Sequence, residues 1–257
     1  MTVPAGLRQG FASMRVPGGR AERFCCVEAL ALIGSGVLHL VVIAVDGGPW
    51  HGPVSWRKPI TFGLSFGLTL LTVVWLSAYL PLRGRWRPFL LGVLAVDCCV
   101  EVAGITLQAW RHVPSHVNRE TGFDSAVSTV LAVGGGVLVV VLGLLGAAAF
   151  RAQVAPSMRL ALRAGFVMMA IGLASGAAMI VRGVAEVGDG RQERAYAMVG
   201  FLKPVHAMGL HGVVVLPALA WLLSRTGWDE RRRTRTVALA VVAYGAATAA
   251  AFAYSSA

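Results

Sequence analysis

Seven long apolar segments constrain this chain more than any other feature of its sequence. They cover, approximately, residues 26–45, 60–82, 88–110, 126–150, 160–182, 200–224 and 236–255. A helix needs about 20 apolar residues to cross the roughly 30 Å hydrocarbon core of a bilayer. The connections between the segments are short. We therefore predict an all-α, polytopic membrane protein, with a basic cytosolic segment over residues 1–25 and seven transmembrane helices within residues 26–257.

The composition excludes several other classes of protein. Of the 257 residues, 56% are hydrophobic and only 14% are charged, whereas soluble domains contain about 25% charged residues. A soluble enzyme, a disordered chain and a nucleic-acid-binding module are all poor matches. The net charge of +11 comes mainly from basic residues between the apolar segments, so the lipid bilayer, and no nucleic acid, is the expected partner.

The distribution of basic residues predicts the orientation. Cytosolic connections of membrane proteins are enriched in Lys and Arg. With the N-terminus inside, every cytosolic segment is Arg-rich: Arg8, Arg15, Arg20, Arg23, Arg83, Arg85, Arg87, Arg151, Arg159, Arg163, Arg225, Arg231, Arg232, Arg233 and Arg235. We therefore predict a multi-pass protein of the cytoplasmic membrane, with its N-terminus cytosolic and its C-terminus outside.

Polar side chains inside the spans form stripes. An α-helix turns by about 100° per residue, so residue spacing gives the shared face. The polar residues of the first span lie within about 40° of one another: Glu28, Ser35, His39 and Asp46. Those of the third span cover about 100°: Asp97, Glu101, Gln108, Arg111 and His112. Ionisable groups in a membrane usually face a protein interior and mark functional sites.

Counting residues along the helices predicts a candidate site. His39, Glu101 and His206 fall at about the same depth, in the predicted outer half of the bilayer. Two imidazoles and a carboxylate suit zinc or non-haem iron, and two imidazoles can instead bind a haem. We therefore predict these three residues as metal ligands.

Further polar residues complete the predicted site. We assign catalytic roles to Glu101, Asp97, Arg111 and His116, and cofactor binding to Lys203 and His211. Two structural alternatives remain open. Asp97 and Glu101 can form a salt bridge with Lys203 or Arg111. The residues that follow the third span can instead organise a tight loop: Arg111, His116, Asn118 and Asp124.

One stretch of sequence resembles a known group. Gln108-Ala109-Trp110-Arg111 is followed by Ser115-His116-Val117-Asn118. This resembles an uncharacterised group of bacterial multi-pass membrane proteins with a Q-A-x-R-G-x-x-S-H-F-N-type motif, with His112 at the Gly position and Val117 at the Phe position. Trp56-Arg57-Lys58-Pro59 matches the W-x-K-P-type start of that group's second helix. The resemblance covers residues 56–130 and implies an architecture without an activity.

A second resemblance concerns the order of the polar motifs. Ser35 and His39, then Asp97, then His206 and His211 are similar to the motifs of membrane zinc hydrolases of the alkaline ceramidase and adiponectin-receptor type. That family has a final His-x3-His pair, whereas four residues separate the two histidines here. The resemblance implies zinc-dependent hydrolysis.

Three classes of function are open at this stage. The first is a metal- or haem-dependent membrane enzyme acting on a lipid, a quinone or another small apolar molecule. The second is a proton-coupled small-molecule transporter, in which ionisable groups within the bilayer form a relay. The third is a membrane sensor or assembly partner. The sequence predicts no oligomeric state.

Overall fold

The computed structural model describes residues 19–256. Its helices are α1 (Arg20–Asp46), α2 (Arg57–Leu76), α3 (Trp86–Trp110), α4 (Gly122–Ala149), α5 (Pro156–Gly188), α6 (Gln192–Met198), α7 (Lys203–Ser224) and α8 (Glu230–Ser256). Seven of them, all except α6, are long and apolar enough to cross a membrane. The prediction of an all-α protein with seven transmembrane helices is confirmed. Residues 1–18 of the predicted basic segment lie outside the described residues.

The short connections give the bundle two different ends. One end, here called the histidine-rich end, contains the connections after α1, α3 and α5, residues 47–56, 111–121 and 189–202. The opposite end contains the connections 80–85, 150–155 and 225–229, which include Arg83, Arg85, Arg151 and Arg225. At that opposite end, Arg87 of α3 pairs with Glu22 of α1 at 3.4 Å. The Glu230 carboxylate of α8 accepts from the backbone N–H of Ser157 in α5.

Glycines allow some helices to approach one another closely. A Cβ atom at Gly209 of α7 would lie 2.5 Å from the backbone nitrogen of Gly172 in α5. A Cβ atom at Gly63 of α2 would lie 2.8 Å from the backbone nitrogen of Gly36 in α1. Small residues at helix contacts are typical of membrane proteins, in which packing rather than hydrophobic burial drives helix association.

The outer surface of the bundle is apolar, as a lipid environment requires. On α8, Leu239 and Val242 are strongly exposed, and on α1, Val27 and Val45 are strongly exposed. The main core cluster lies between the helices and includes Leu70, Leu91, Leu94, Leu145, Leu162 and Leu216. The polar residues predicted from the sequence lie among these packed helices or at the histidine-rich end.

Candidate functional site

Two buried carboxyl groups lie near the middle of α3. Asp97 and Glu101 are one helical turn apart and are 8% and 3% exposed. At 1.5 Å per residue, they lie about 16 Å and 22 Å from the start of a helix about 37 Å long. We call them the acid pair. The acid pair therefore lies close to the middle of the predicted span.

A glycine of α4 provides the space for the acid pair. A Cβ atom at Gly134 would collide with a Glu101 carboxylate oxygen and would lie 2.9 Å from Asp97 Oδ1. Cβ atoms at the neighbouring Gly135 and Gly136 would meet nothing within 4 Å. Of these three consecutive glycines, only Gly134 faces the carboxyl groups. A side chain at this position would occupy the space that the two carboxyl groups fill.

The acid pair lacks the donors that buried carboxylates normally have. Asp97 Oδ2 and Glu101 Oε1 are buried without a hydrogen-bond partner, and so are both carboxylate oxygens of Glu28 in α1. Within residues 19–256, none of these three groups forms an ion pair. A buried polar group without a partner is costly, so this arrangement needs an explanation.

The Asp97 side of the acid pair opens onto an apolar groove. The groove has a volume of about 570 Å³. Its lining comes from α1, α3 and α4: Phe24, Pro88, Phe89, Gly92, Val93, Val96, Asp97, Val100 and Val137. It follows α3 from near the opposite end of the bundle to the middle. Asp97 is the one ionisable residue in this lining.

The predicted metal ligand His39 has a different environment. Its Nδ1 bonds to the Ser35 carbonyl at 2.7 Å, and its Nε2 is 3.1 Å from the indole N–H of Trp110. This pattern assigns the proton to Nδ1 and makes Nε2 the acceptor. The ring also packs against Trp56. Both ring nitrogens of His39 are therefore engaged within the protein.

The other two predicted ligands lie in different surroundings. His206 Nδ1 bonds to the Gly172 carbonyl at 2.7 Å, whereas Glu101 lies in the acid pair. Among residues 19–256, no three His, Cys, Asp or Glu side chains are grouped so as to hold a metal ion. The zinc, iron or haem site involving His39, Glu101 and His206 stays a prediction, and no observed contact favours it.

Arg111 belongs to a network at the histidine-rich end. Its guanidinium donates to Asp124 Oδ1 at 2.5 Å and to the Gln108 side-chain carbonyl. The Gln108 amide also donates to Asp124 Oδ1 at 2.9 Å, and the Thr121 hydroxyl donates to Asp124 Oδ2 at 2.6 Å. Both carboxylate oxygens of Asp124 therefore have donors. These contacts agree with the structural alternative for Arg111, as an organiser of this connection.

His116 belongs to the 111–121 connection and contacts α2. Its Nδ1 is 2.9 Å from the Ser115 hydroxyl, which in turn lies 3.4 Å from Lys58 Nζ. Its ring contacts Phe62. Burial, together with the nearby Lys58 charge, lowers the pKa of His116 to about 3. The ring is therefore neutral at physiological pH, and it lies apart from the acid pair.

The 111–121 connection contains two unusual backbone conformations. His112 and Val117 have φ angles of 56° and 52°, and they are the two non-glycine residues with positive φ among the described residues. They occupy the two positions at which the sequence departs from the Q-A-x-R-G-x-x-S-H-F-N-type motif. A left-handed conformation favours glycine and is costly for a β-branched residue. The glycine of that motif therefore suits the backbone seen at His112.

The two predicted cofactor-binding residues are both in α7. Lys203 is the first residue of that helix and is exposed. His211 Nδ1 bonds to the Ala207 carbonyl of its own helix at 2.7 Å. The salt bridges from Lys203 or Arg111 to the acid pair, which the sequence left open, do not form. Arg111 pairs with Asp124 instead.

Sequence reasoning placed Glu28 in a polar stripe but not in the candidate site. Glu28 lies in α1, which packs against α3, and both of its carboxylate oxygens are buried. Gly134 was recognisable only as one of three consecutive glycines. The depth of Glu28 along its span is a signal that could have identified it. The contact of Gly134 with the acid pair depends on the rotation of α4 about its axis, which the sequence does not give.

No family model, no curated protein and no solved structure matches this chain.

Proposed function

We propose that this protein is a proton-coupled membrane carrier of a lipophilic organic cation, with Asp97 and Glu101 as the proton-exchanging groups. The observation that carries the proposal is a buried, unpartnered acid pair in the middle of the bundle that opens onto an apolar groove. A proton or a bound cation would relieve the cost of an unpaired charge at this depth.

The lining of the groove supports the choice of substrate. The groove is open towards the outside of the bundle, because Phe24, Phe89 and Val96 in its lining are each more than half exposed. The lining is apolar except for Asp97, and it includes the aromatic rings of Phe24 and Phe89. Aromatic faces and a carboxylate both attract cations. An apolar molecule with a single positive charge therefore matches this lining better than a neutral or anionic one.

The two carboxyl groups have different roles in this proposal. Asp97 contacts the substrate, because it lines the groove. Glu101 is more deeply buried, so it does not contact the substrate; it takes up a proton and passes it to Asp97. When the cation enters, the O–H bond of the Asp97 carboxyl breaks, the proton passes to water and the resulting carboxylate pairs with the cation. Charge at the site is conserved in this exchange.

The proposal is tested by transport in proteoliposomes. Ethidium serves as the probe, and a pH gradient with the acidic side inside supplies the driving force. We expect ethidium uptake above that of protein-free vesicles, and its loss in Asp97→Asn. Glu101→Gln should uncouple uptake from the pH gradient. Glu193→Gln, which removes an exposed carboxylate of α6, is the matched control and should behave as the wild type.

Two results would contradict the proposal. One is wild-type uptake no greater than that of protein-free vesicles. The other is uptake by Asp97→Asn that keeps the wild-type rate and the wild-type dependence on the gradient. The amount of folded protein in each preparation, measured by gel filtration and helical circular dichroism, separates loss of transport from loss of fold.

A further inference from the structure

A small cavity lies at the histidine-rich end, beside the point where α1 ends. Its volume is about 80 Å³. Its wall comes from the last residue of α1, from the 47–56 connection and from the end of α3 with the residues that follow, and it includes Asp46, Trp56, Ala109 and His112. Two distant parts of the sequence therefore meet around this space, which we call the Asp46 cavity.

The Asp46 cavity contains a negative charge that the protein does not balance. Asp46 Oδ2 accepts from the indole N–H of Trp56 at 2.6 Å, and this donor is neutral. Within residues 19–256, Asp46 forms no ion pair. Among the described residues that line the cavity, Asp46 is the one acidic residue, and none is Lys or Arg. The indole therefore orients the carboxylate without neutralising it.

The two arginines that are next to the lining in the sequence have other partners. Arg57 Nε donates to the Trp50 carbonyl at 3.0 Å, and Arg111 pairs with Asp124. Neither arginine belongs to the lining of the cavity. The position of a counter-ion beside Asp46 is therefore left to a group from outside the chain.

Aromatic rings hold Trp56 in place at the wall of the cavity. The centroid of its ring lies 5.8 Å from that of His112, 5.1 Å from that of Trp110 and 5.9 Å from that of His39. Trp56 is only 7% exposed. Aromatic rings attract cations, and a wall that is already ordered loses little freedom when a ligand binds. The cavity thus combines a carboxylate with a fixed aromatic wall.

The size of the cavity limits which cation can enter. A cavity of about 150 Å³ accommodates benzene, so a cavity of about 80 Å³ has room for only a few non-hydrogen atoms. Asp46 is exposed, so its carboxylate can be reached from outside the bundle. A primary ammonium group on a short carbon chain is small enough, carries N–H donors for the carboxylate and has a positive charge for the aromatic wall.

We propose that the Asp46 cavity binds a primary ammonium group on a short carbon chain. Its N–H groups donate to the Asp46 carboxylate in charge-assisted hydrogen bonds, and its positive charge lies close to the Trp56 ring. The group comes from a free small amine or from the ethanolamine headgroup of a lipid, and the chemistry of recognition is the same for both. This inference is independent of the proposed transport function, because it concerns Asp46 and not the acid pair.

The test measures binding by the detergent-purified, full-length protein. Methylammonium chloride replaces sodium chloride at constant ionic strength, and the shift of the thermal unfolding midpoint is recorded. We expect saturable stabilisation by methylammonium and a smaller effect of tetramethylammonium, which has the charge but no N–H group. Asp46→Asn should weaken methylammonium binding about tenfold or more. Asp46 is exposed, and an amide oxygen can still accept from the Trp56 indole, so this substitution is compatible with folding.

A matched control and a lipid arm complete the design. Glu193→Gln also changes an exposed carboxylate to an amide at the same end, and it should leave methylammonium binding unchanged. In nanodiscs, the midpoint is compared between pure phosphatidylcholine and mixtures with phosphatidylethanolamine. Stabilisation by methylammonium that Asp46→Asn weakens supports a free amine. Stabilisation by phosphatidylethanolamine alone, with the same dependence on Asp46, supports a headgroup.

Three results would overturn the proposal. The first is a wild-type protein whose midpoint responds to neither methylammonium nor phosphatidylethanolamine. The second is an equal response of the wild type, Asp46→Asn and Glu193→Gln to both ligands. The third is stabilisation by tetramethylammonium as strong as that by methylammonium, because a group without N–H donors would then bind equally well.

Discussion

Two buried acidic regions of this protein differ in how their carboxyl groups are satisfied. Asp124, at the histidine-rich end, accepts from Arg111, Gln108 and Thr121. Asp97 and Glu101, in the middle of the bundle, each have a buried oxygen without a partner. A buried carboxylate that stabilises architecture normally comes with its own donors. We therefore interpret the acid pair, which lacks such donors, as available for the proposed proton exchange. Asp124, in contrast, is held in a hydrogen-bond network.

The largest expected effect is a loss of stability in acid that arises from His116 at the histidine-rich end. Because burial lowers the pKa of His116 to about 3, the unfolded chain takes up a proton at this residue first, near pH 6.5. The contribution to stability is complete above that pH and is lost as the pH falls towards 3. At pH 4.5 the expected loss is about 3 kcal/mol.

The measurement is the unfolding midpoint in detergent between pH 7.5 and 4.5. His116→Gln cannot take up this proton, so its midpoint should depend less on pH than that of the wild type. Parallel pH profiles for the two proteins would show that His116 does not make the histidine-rich end sensitive to acid.

The second prediction compares one substitution in each acidic region. Asp124→Asn removes the charge that Arg111 and Gln108 contact, and we expect a loss of about 2 kcal/mol in the free energy of unfolding. Asp97→Asn removes a charge without a partner, and we expect no loss of stability. Chemical denaturation of both variants in the same detergent checks the difference. Equal destabilisation would contradict the contrast drawn between the two regions.

The third prediction concerns the space beside the acid pair. Gly134→Ala introduces a Cβ atom that collides with the carboxyl groups, and overpacking should cost about 1 kcal/mol and slow ethidium transport. Gly135→Ala makes the same chemical change where nothing lies within 4 Å, so it is the matched control. Stability and transport measured for both variants test this. Identical behaviour of the two variants would contradict the arrangement of α4 against α3.

The smallest expected effect concerns the backbone at His112. Its positive φ favours glycine, so His112→Gly should raise the free energy of unfolding by about 0.5 kcal/mol. His112→Ala removes the same side chain, including its contact with Trp56, without relieving the strain. It should therefore be less stable than His112→Gly. Thermal unfolding compares the two variants, and an alanine variant at least as stable as the glycine variant would rule out strain at this position.

Much of the fold could be predicted from the sequence, because the length of an apolar segment is a local property. The predicted spans overlap the seven long helices, although α1, α5 and α8 extend further than their apolar segments indicate. The short helix α6 was missed, since seven residues give little periodicity. Polar stripes also identified Asp97 and Glu101 as residues that face the protein interior.

The composition of the site was harder to predict, because it depends on which helices are neighbours. Equal depth suggested that His39, Glu101 and His206 meet, but depth does not give the rotation or the order of helices around the bundle. The structure shows contacts of His39 with Trp56 and Trp110, and the predicted metal site stays a prediction.

The most direct test of the central claim measures protons released when a cation binds to the acid pair. Detergent-purified protein in a weakly buffered solution is mixed with ethidium, and a pH-indicator dye reports the protons released. We predict saturable, stoichiometric proton release by the wild type and none by Asp97→Asn. No release by folded wild-type protein, or equal release by the wild type and Asp97→Asn, would contradict proton exchange at the acid pair.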